Sequence, residues 1–328
     1  MPRKTLIFGN GLGKALNPDS FRLDNAIQTV WNDEDILSDH QKELIYSCLP
    51  EDREDFPQSE EDLDNLQLAL SACDFLMEMP TSEEVHWLSD DGQQFPRAVR
   101  KLIFNTARQF HQTDEVLPEE FIDPLADFIW RTNSHIGTLN YDNLLYQPMI
   151  DREALSGYDG ALVDGFHNAG FAKKNLERKF GNTFGYYLHL HGSPLFIDDK
   201  EKTKKLKQHE LEQRSDVASS HIVLTHVKHK TTVISASHLL LTYWELLVEA
   251  INESNEIILF GYSGNDTHLN SLLNIMSEKP VRVVEYDREG NGIGHNEHWH
   301  SKLGDNRPIK VIPMEDILEF QDWDGDWD

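Results

Sequence analysis

Short and almost entirely apolar runs recur along the chain, and they predict strands that are buried on both faces of a sheet. Helical periodicities separate several of these runs, and this alternation is typical of an α/β fold with a mostly parallel sheet. The predicted strands are residues 5–8, 134–139, 186–190, 232–236, 257–260, 281–286 and 309–312.

Helical patterns fill the long stretch between the first two predicted strands. Ser59 is followed by three acidic residues and predicts a helix start, because acidic side chains are favoured in a first turn. Further helices are predicted over 95–111 and 118–131, and we interpret residues 31–130 as a helical insertion beside the sheet. One apolar helix face is predicted from the spacing of Leu63, Leu66, Leu70, Cys73 and Met77. Its place on this face predicts that Cys73 is a core residue rather than a nucleophile.

The remaining segments have weaker patterns. Residues 197–230 are polar and charged and predict a loop-rich excursion, whereas 239–251 and 267–277 predict helices that flank a strand. The chain ends in a segment, residues 316–328, that alternates acidic residues with Trp near its end. We interpret this acidic Trp-containing tail as disordered, with a short docking peptide as the alternative.

Charge narrows the classes of function. The chain of 328 residues has 57 acidic against 30 Lys and Arg side chains and a formal net charge of −27. An acidic body repels phosphate backbones, so no direct nucleic-acid binding over a broad surface is expected. A basic protein partner and plain solubility are the two alternatives. A basic island, Lys200 to Lys207 with Lys228 and Lys230, is interpreted as a solvated loop, with a contact patch as the alternative.

Cysteine content and hydropathy predict a cytoplasmic protein. Only Cys48 and Cys73 are present, and they form no metal-ligand pair, so neither a zinc ribbon nor a disulfide framework is expected. No apolar run is long enough to cross a bilayer, and no membrane association is predicted. The apolar stretch near the N-terminus leads into a glycine loop without a cleavage site, which favours a first strand over a signal peptide.

Four polar signatures, each directly after a predicted strand, hold the candidate chemistry. Parallel strands place their carboxyl ends at one edge of the sheet, so we expect the four to converge on a nucleotide cleft. In chain order they are Gly9-Asn10-Gly11-Leu12-Gly13, Asn140-Tyr141-Asp142, His191-Gly192-Ser193, and Gly261-Tyr262-Ser263 with Asp266.

The first signature is a glycine-rich turn from strand to helix. Glycine lets backbone N–H groups approach a pyrophosphate, so Gly9, Asn10, Gly11 and Gly13 are candidate phosphate-binding positions. The spacing does not match a Walker A loop, because Ala15 stands where that loop has Ser or Thr, and an ATPase is therefore not expected. A turn that binds no ligand is the alternative.

The second and third signatures supply an amide and an imidazole. Asn140 can donate and accept at once, which suits the positioning of a water or a ribose hydroxyl, and Asp142 is a candidate nucleotide contact, although both are also ordinary turn residues. Imidazole is the side-chain group that ordinarily changes charge near neutral pH, so His191 is a candidate proton acceptor, and Gly192 leaves room for a ligand. His189 is expected on the same face of the strand, but no carboxylate or thiol is spaced to complete a metal site, so no metal is predicted.

The fourth signature places small residues at another strand end. Gly261 and Ser263 suit close contact with a ribose or a phosphate. Asp266 is a candidate nucleotide contact, and capping of the next helix explains it equally well. Glu285 ends the following predicted strand, where a carboxylate commonly holds ribose hydroxyls.

The order of the four signatures resembles that of the sirtuin superfamily, and most closely that of the bacterial sirtuin-like NAD hydrolases of antiviral defence. The resemblance covers residues 4–22, 135–146, 186–195 and 231–287. It implies a Rossmann-like sheet domain formed by residues 1–30 and 131–315. It also implies that Asn140 positions the attacking water or the nicotinamide ribose and that His191 is the general base.

The resemblance further implies that NAD is the substrate. The Gly9–Gly13 loop would hold its pyrophosphate, Ser263 a ribose or phosphate, and Glu285 the adenosine side. The four-cysteine zinc module of deacylating sirtuins is absent, so no zinc is expected and hydrolysis of NAD is the simpler expectation.

The biological expectation is NAD depletion in antiphage defence by an enzyme that is silent until a trigger or partner activates it. The expected partners are further copies of the chain, or a companion ATPase or DNA-translocase protein. Two rivals stay open, namely an ADP-ribosyltransferase or deacylase of sirtuin type, and a non-catalytic module that binds NAD or ADP-ribose.

Overall fold

A computed structural model describes residues 2–325 apart from 51–55, 81–86, 169, 200–201, 215–218, 220, 226, 288–289 and 291. Lys200 of the predicted basic island and residues 326–328 of the predicted tail lie outside the described residues. The strands are β1 (Lys4–Phe8), β2 (His135–Thr138), β3 (Leu162–Val163), β4 (Phe166–His167), β5 (Gly170–Phe171), β6 (Gly185–His189), β7 (Phe196–Asp199), β8 (Lys202–Lys205), β9 (Glu256–Phe260), β10 (Val281–Tyr286) and β11 (Ile309–Met314).

The helices account for most of the remaining chain. Short 3-10 turns cover Gly157–Asp159, Lys173–Leu176 and Ile317–Glu319. The α-helices are α1 (Gly11–Leu16), α2 (Leu23–Asn32), α3 (Asp39–Tyr46), α4 (Glu60–Glu78), α5 (Asp90–His111), α6 (Glu119–Thr132), α7 (Tyr146–Asp151), α8 (Gln208–Glu212), α9 (Val227–Ala236), α10 (His238–Glu253), α11 (Thr267–Ile275) and α12 (Asn296–Leu303).

A seven-stranded parallel sheet forms the centre of a Rossmann-like α/β fold, as the sequence predicts. Its strand order is β11-β10-β9-β1-β2-β6-β3, and each neighbouring pair is parallel. Leu6, Ile7 and Phe8 of β1 have no exposed surface, because helices cover both faces of a parallel sheet. The chain leaves β1 toward β2 on one side and returns to β9 on the other. Ligand crevices form at the carboxyl ends of strands beside such a reversal.

The predicted strand at 232–236 is wrong, since these residues end helix α9. The run contains β-branched residues, which favour strands when they pack on both sides. In the structure only one side is covered, and Lys230 and Ile234 are the positions of α9 that are described as buried. Their spacing of four residues follows the helical repeat, so packing against one face decides the conformation.

The helical insertion between β1 and β2 contains the predicted helices. Ser59 caps α4 by accepting from the N–H of Asp62, whose side chain accepts the N–H of Ser59 in return. Leu63, Leu66 and Leu70 are buried as predicted. The predicted apolar face ends there, because Cys73 is only partly buried and Met77 is about half exposed.

The predicted loop-rich excursion over 197–230 is wrong in part. Its described residues include the antiparallel hairpin of β7 and β8, helix α8 and the first turn of α9. Ser219 and His221 are buried in the segment between them.

The tail is ordered as far as Gly325, so the prediction of disorder is wrong for residues 316–325. The indole of Trp323 is 1% exposed and packs against Phe8, Phe121 and Phe260 at ring-centroid distances of 6.3, 5.6 and 5.7 Å. Backbone carbonyls of the tail also accept hydrogen bonds from buried cations, as Lys4 Nζ donates to Gly325 O at 2.8 Å. An aromatic side chain that fills a core position outweighs the acidic composition around it.

No helix in the described part of the chain is long and apolar enough to span a bilayer.

Candidate active site

The four predicted signatures converge at the carboxyl edge of the sheet. Asn140 Nδ2 donates to Gly9 O at 3.1 Å, which joins the second signature to the first. The N–H of Gly11 donates to Gly261 O at 2.8 Å, which joins the first to the fourth. His191 Nε2 lies 2.8 Å from Asp266 Oδ2, which joins the third to the fourth. These hydrogen bonds make one site from residues that span more than 250 positions of sequence.

The glycine loops after β1 and β9 pack directly on each other. A Cβ on Gly11 would lie 2.5 Å from the Gly261 carbonyl oxygen, and one on Gly9 would lie 2.8 Å from the same oxygen. Gly261 itself has φ of +57°, a left-handed conformation that favours glycine. The N–H groups of Gly9 and Gly11 donate to Phe260 O and Gly261 O. These N–H groups, which the sequence assigned to a pyrophosphate, therefore bind the neighbouring loop in this state.

The rest of the glycine loop is fixed by the turn that follows α1. A Cβ on Gly13 would lie within 2.5 Å of the Phe21 ring, so Phe21 fills the space beside this glycine. Asn10 is exposed, and its amide donates to Phe21 O at 3.0 Å. Asn10 is the member of the loop whose side chain borders solvent.

Asn140 lies at the end of β2, between the glycine loop and the end of β6. It is 6% exposed, and its amide nitrogen is committed to Gly9. Its Oδ1 accepts no hydrogen bond from the described residues. It is also not one of the polar atoms of those residues that are both closed off from solvent and without a partner. The amide oxygen is thus free to bind a water or a hydroxyl group of a ligand.

Asp142 is a buried turn residue in this structure. Its Oδ1 accepts the N–H of Leu144 at 3.1 Å. Burial raises the pKa of Asp142 to about 7, so the carboxyl group is partly protonated at neutral pH. The turn interpretation thus accounts for its contact to Leu144.

His191 is held by Asp266 across the site. His191 is 7% and Asp266 5% exposed. Burial on its own would raise the pKa of Asp266, but the hydrogen bond with His191 and the charge of Lys230 hold that pKa well below its usual range. Asp266 also caps α11 by accepting the N–H of Leu269 at 3.0 Å. Asp266 therefore caps α11 and contacts His191 at once, whereas its contact with a nucleotide stays a prediction.

Lys230 is a site residue that the sequence did not single out for the site. Its Nζ lies 3.1 Å from Asp266 Oδ2 and 3.7 Å from Glu60 Oε2, and the residue is 4% exposed. The sequence placed Lys230 in a basic island of solvated residues. The available signal was its spacing of four from Ile234, which predicts a shared buried helix face only once α9 is recognised as a helix.

Residues 221–225 and helix α9, the closing segment, contact three of the four signatures. Ile222 forms a β-bridge with Gly192, Val223 O accepts from Tyr141 at 2.6 Å, and Lys230 reaches Asp266. His221 anchors the segment, because its ring nitrogens lie 2.8 Å from Ser237 Oγ and 2.7 Å from Asp198 Oδ1. Gly192 was predicted to leave room for a ligand. Instead, a Cβ at Gly192 would overlap the His221 carbonyl oxygen, so the chain itself fills that room.

Ser263 and Glu285, the two remaining predicted nucleotide contacts, differ in whether their side chains are free to bind a ligand. Ser263 is exposed on the loop after β9, beside Asp266. Glu285 is committed to helix α12, since its carboxylate accepts from Trp299 Nε1 at 2.7 Å and from the N–H of His295 at 2.9 Å. Ser263 can reach a ligand in this state, whereas Glu285 serves to dock α12.

His189 has different surroundings from His191. Its ring lies among Tyr146, Tyr187 and Phe196 at centroid distances of 4.9, 5.0 and 5.2 Å. Within the part of the chain that the structure describes, no group of three or more His, Cys, Asp or Glu side chains could hold a metal ion.

Together these residues can position and deprotonate a water molecule. A buried imidazole held by an ionised carboxylate is suited to accept a proton, and the uncommitted amide oxygen of Asn140, at the same carboxyl edge of the sheet, is suited to orient the proton donor.

Comparison with known proteins gives no further assignment. No protein-family model matches the chain, and no curated protein matches it.

Proposed function

We propose that this chain hydrolyses NAD to nicotinamide and ADP-ribose. The observation that carries the proposal is the convergence of Asn140 and His191 at the edge where β1 meets β9, with Asn140 Oδ1 free of protein partners. A crevice at this place in a parallel sheet is where nucleotides bind. The order of the four signatures, which resembles that of sirtuin-like NAD hydrolases, supports NAD as the nucleotide.

Catalysis of this reaction depends mainly on the positioning of the attacking water. The bond between C1′ of the ribose and the nicotinamide nitrogen breaks, and its electron pair leaves with nicotinamide. Water held by Asn140 adds to C1′ of the oxocarbenium-like ribose, and its proton passes to His191. Placement of that water accounts for most of the expected acceleration, and general base catalysis adds about 10²–10⁴-fold.

The closed site supports an enzyme that is silent until activated. Asn140, His191 and Asp266 are each buried, and the closing segment contacts the signatures that bear them. A dinucleotide therefore reaches these groups only after the closing segment moves. This fits the expected role in antiphage defence, in which a trigger, an oligomer or a companion ATPase activates the enzyme and the enzyme then depletes NAD.

The test is incubation of the purified chain with NAD, with and without a phage-infected extract as the activator, and quantification of free nicotinamide and ADP-ribose. We expect turnover that falls at least 10²-fold in Asn140→Ala and in His191→Ala. Asn255→Ala, which changes an exposed residue just before β9, and His167→Ala, which changes an exposed imidazole outside the four signatures, are the matched controls and should keep wild-type turnover.

Binding measurements separate the proposal from its rivals. Calorimetric binding of NAD by wild type and by Asn140→Ala, with no turnover by either even after a phage-infected extract is added, would favour a binding module. Labelled protein in place of free ADP-ribose would favour transfer. Neither binding nor turnover would refute the nucleotide site.

A further inference from the structure

Three donors converge on the carboxylate of Asp266. His191 Nε2 lies 2.8 Å and Lys230 Nζ 3.1 Å from Oδ2, and the N–H of Leu269 lies 3.0 Å from Oδ1. A carboxyl group that receives three donors acts as an ionised acceptor, because a protonated one would have to donate from one of these oxygens. Since the carboxylate can only accept, the proton between the two side chains belongs to His191 Nε2.

We propose that Asp266 and Lys230 are positioning residues that hold the His191 imidazole neutral, with its proton on Nε2 and Nδ1 as the proton-accepting atom. The role of Nδ1 toward water rests on the proposed function, whereas the protonation pattern does not. His191 Nδ1 has no hydrogen-bond partner among the described residues and is not one of their enclosed polar atoms. It is therefore the ring nitrogen that is free to accept a proton.

Lys230 acts through the charge of Asp266. A buried carboxylate needs a nearby positive charge, and Lys230, which is 4% exposed, supplies it. With that cation in place, the imidazole need not take up a second proton to neutralise Asp266. Without it, an imidazolium at His191 is the one group already in hydrogen-bond contact that can restore neutrality.

The other titratable groups near His191 and Asp266 do not change this balance of charge between Asp266 and Lys230. Glu60 from α4 lies 3.7 Å from Lys230 with its side chain about half exposed, so solvent screens it more than it screens Asp266. Burial lowers the pKa of His268 from α11 and raises the pKa of Tyr141, so both are neutral at pH 7.

The test is NMR of protein labelled with ¹⁵N in its 16 histidines, at pH 7. The His191 signals are assigned by their absence from His191→Gln. The expected wild-type pattern is a neutral ring with a protonated Nε2. A proton on Nδ1 alone, or on both nitrogens, overturns the proposal without any variant.

Three variants then test the two positioning residues. Lys230→Met should give a doubly protonated His191 at pH 7, and Lys230→Arg, which keeps the charge, should restore the wild-type pattern. Asp266→Asn should lose the fixed Nε2 proton, because an amide can donate to Nε2 and so favour the opposite tautomer. Unchanged His191 signals in Lys230→Met or in Asp266→Asn contradict the role given to that residue. The other histidine signals report whether each variant is folded.

Turnover measured in parallel separates this inference from the proposed function. If the chain hydrolyses NAD, Asp266→Asn should lower kcat by about 10²-fold or more. In Lys230→Met the acidic limb of the pH profile should move to higher pH, and Lys230→Arg should reverse that shift. If no NAD is hydrolysed while the NMR patterns are as expected, the proposed substrate is wrong and the positioning of His191 stands.

Discussion

His189 gives a quantitative test of how burial acts near this site. The residue is 2% exposed, and neither ring nitrogen has a hydrogen-bond partner among the described residues. Burial lowers the pKa of His189 to about 3; Asp164 opposes this, and Lys205 and His111 add to it. At a pH somewhat below 6.5 the unfolded state therefore binds a proton at this histidine, whose ordinary pKa is about 6.5, whereas the folded state does not. Stability due to this residue is therefore lost as the pH falls below about 6.5.

The size of the loss follows from that difference. Between pH 7.5 and 5.5 an unfolded histidine becomes about nine-tenths protonated while the folded one stays neutral, which costs between about 1 and 2 kcal/mol. His189→Phe places an apolar ring among the three aromatic rings and removes this pH dependence. The larger ring adds a packing cost of about 1–3 kcal/mol, but that cost is the same at both pH values.

The assay is urea unfolding of wild type and His189→Phe at pH 7.5 and 5.5. We expect the free energy of unfolding of the variant relative to wild type to improve by about 1–2 kcal/mol at the lower pH. The buried carboxyl of Asp142, whose pKa is raised, changes stability in the opposite direction, but it is present in both proteins and cancels. His167→Gln, which removes an exposed imidazole, should track wild type. Equal pH dependence in wild type and His189→Phe would refute the reasoning.

Two further predictions concern packing. Gly11→Ala should lower the melting temperature and destabilise the chain by about 1–3 kcal/mol, because the new Cβ would lie 2.5 Å from Gly261 O. Gly92→Ala, in the first turn of α5 beside the flexible Leu88 side chain, should be nearly neutral in the same thermal scan. Trp323→Ala should cost about 3–5 kcal/mol of unfolding free energy, whereas Trp87→Ala, at a half-exposed indole, should cost far less. Equal effects of the two Trp substitutions would contradict the docked tail.

The parts of the fold that local patterns determine could be read from the sequence. Strands such as β1 and β9 contain the apolar runs Leu6–Phe8 and Ile257–Phe260, and the cap at Ser59 depends on residues within one helical turn. The convergence of Asn140 and His191 could also be anticipated, because both follow strands of one parallel sheet. These inferences need only the sequence and the geometry of regular elements.

The parts that depend on tertiary contact could not be read in this way. Residues 232–236 have the β-branched composition of a strand, and only their packing on one face makes them helical. Lys230 becomes a site residue because α9 lies beside Asp266, which no local pattern states. Trp323 likewise has acidic neighbours in sequence and aromatic neighbours in space.

The glycine loops limit which substitutions can test nucleotide binding. Gly9 and Gly11 hold two loops in backbone contact whether or not a ligand is bound, so lost activity in their variants would not show a lost phosphate contact. Asn140 and Ser263 are more informative, since the amide oxygen of the first and the exposed hydroxyl of the second face no protein partner among the described residues. Because substitution of Ser263 breaks no described side-chain hydrogen bond, Ser263→Ala should leave the melting temperature unchanged. A weaker affinity for NAD in that variant would therefore report a ligand contact, which a change at either glycine cannot do.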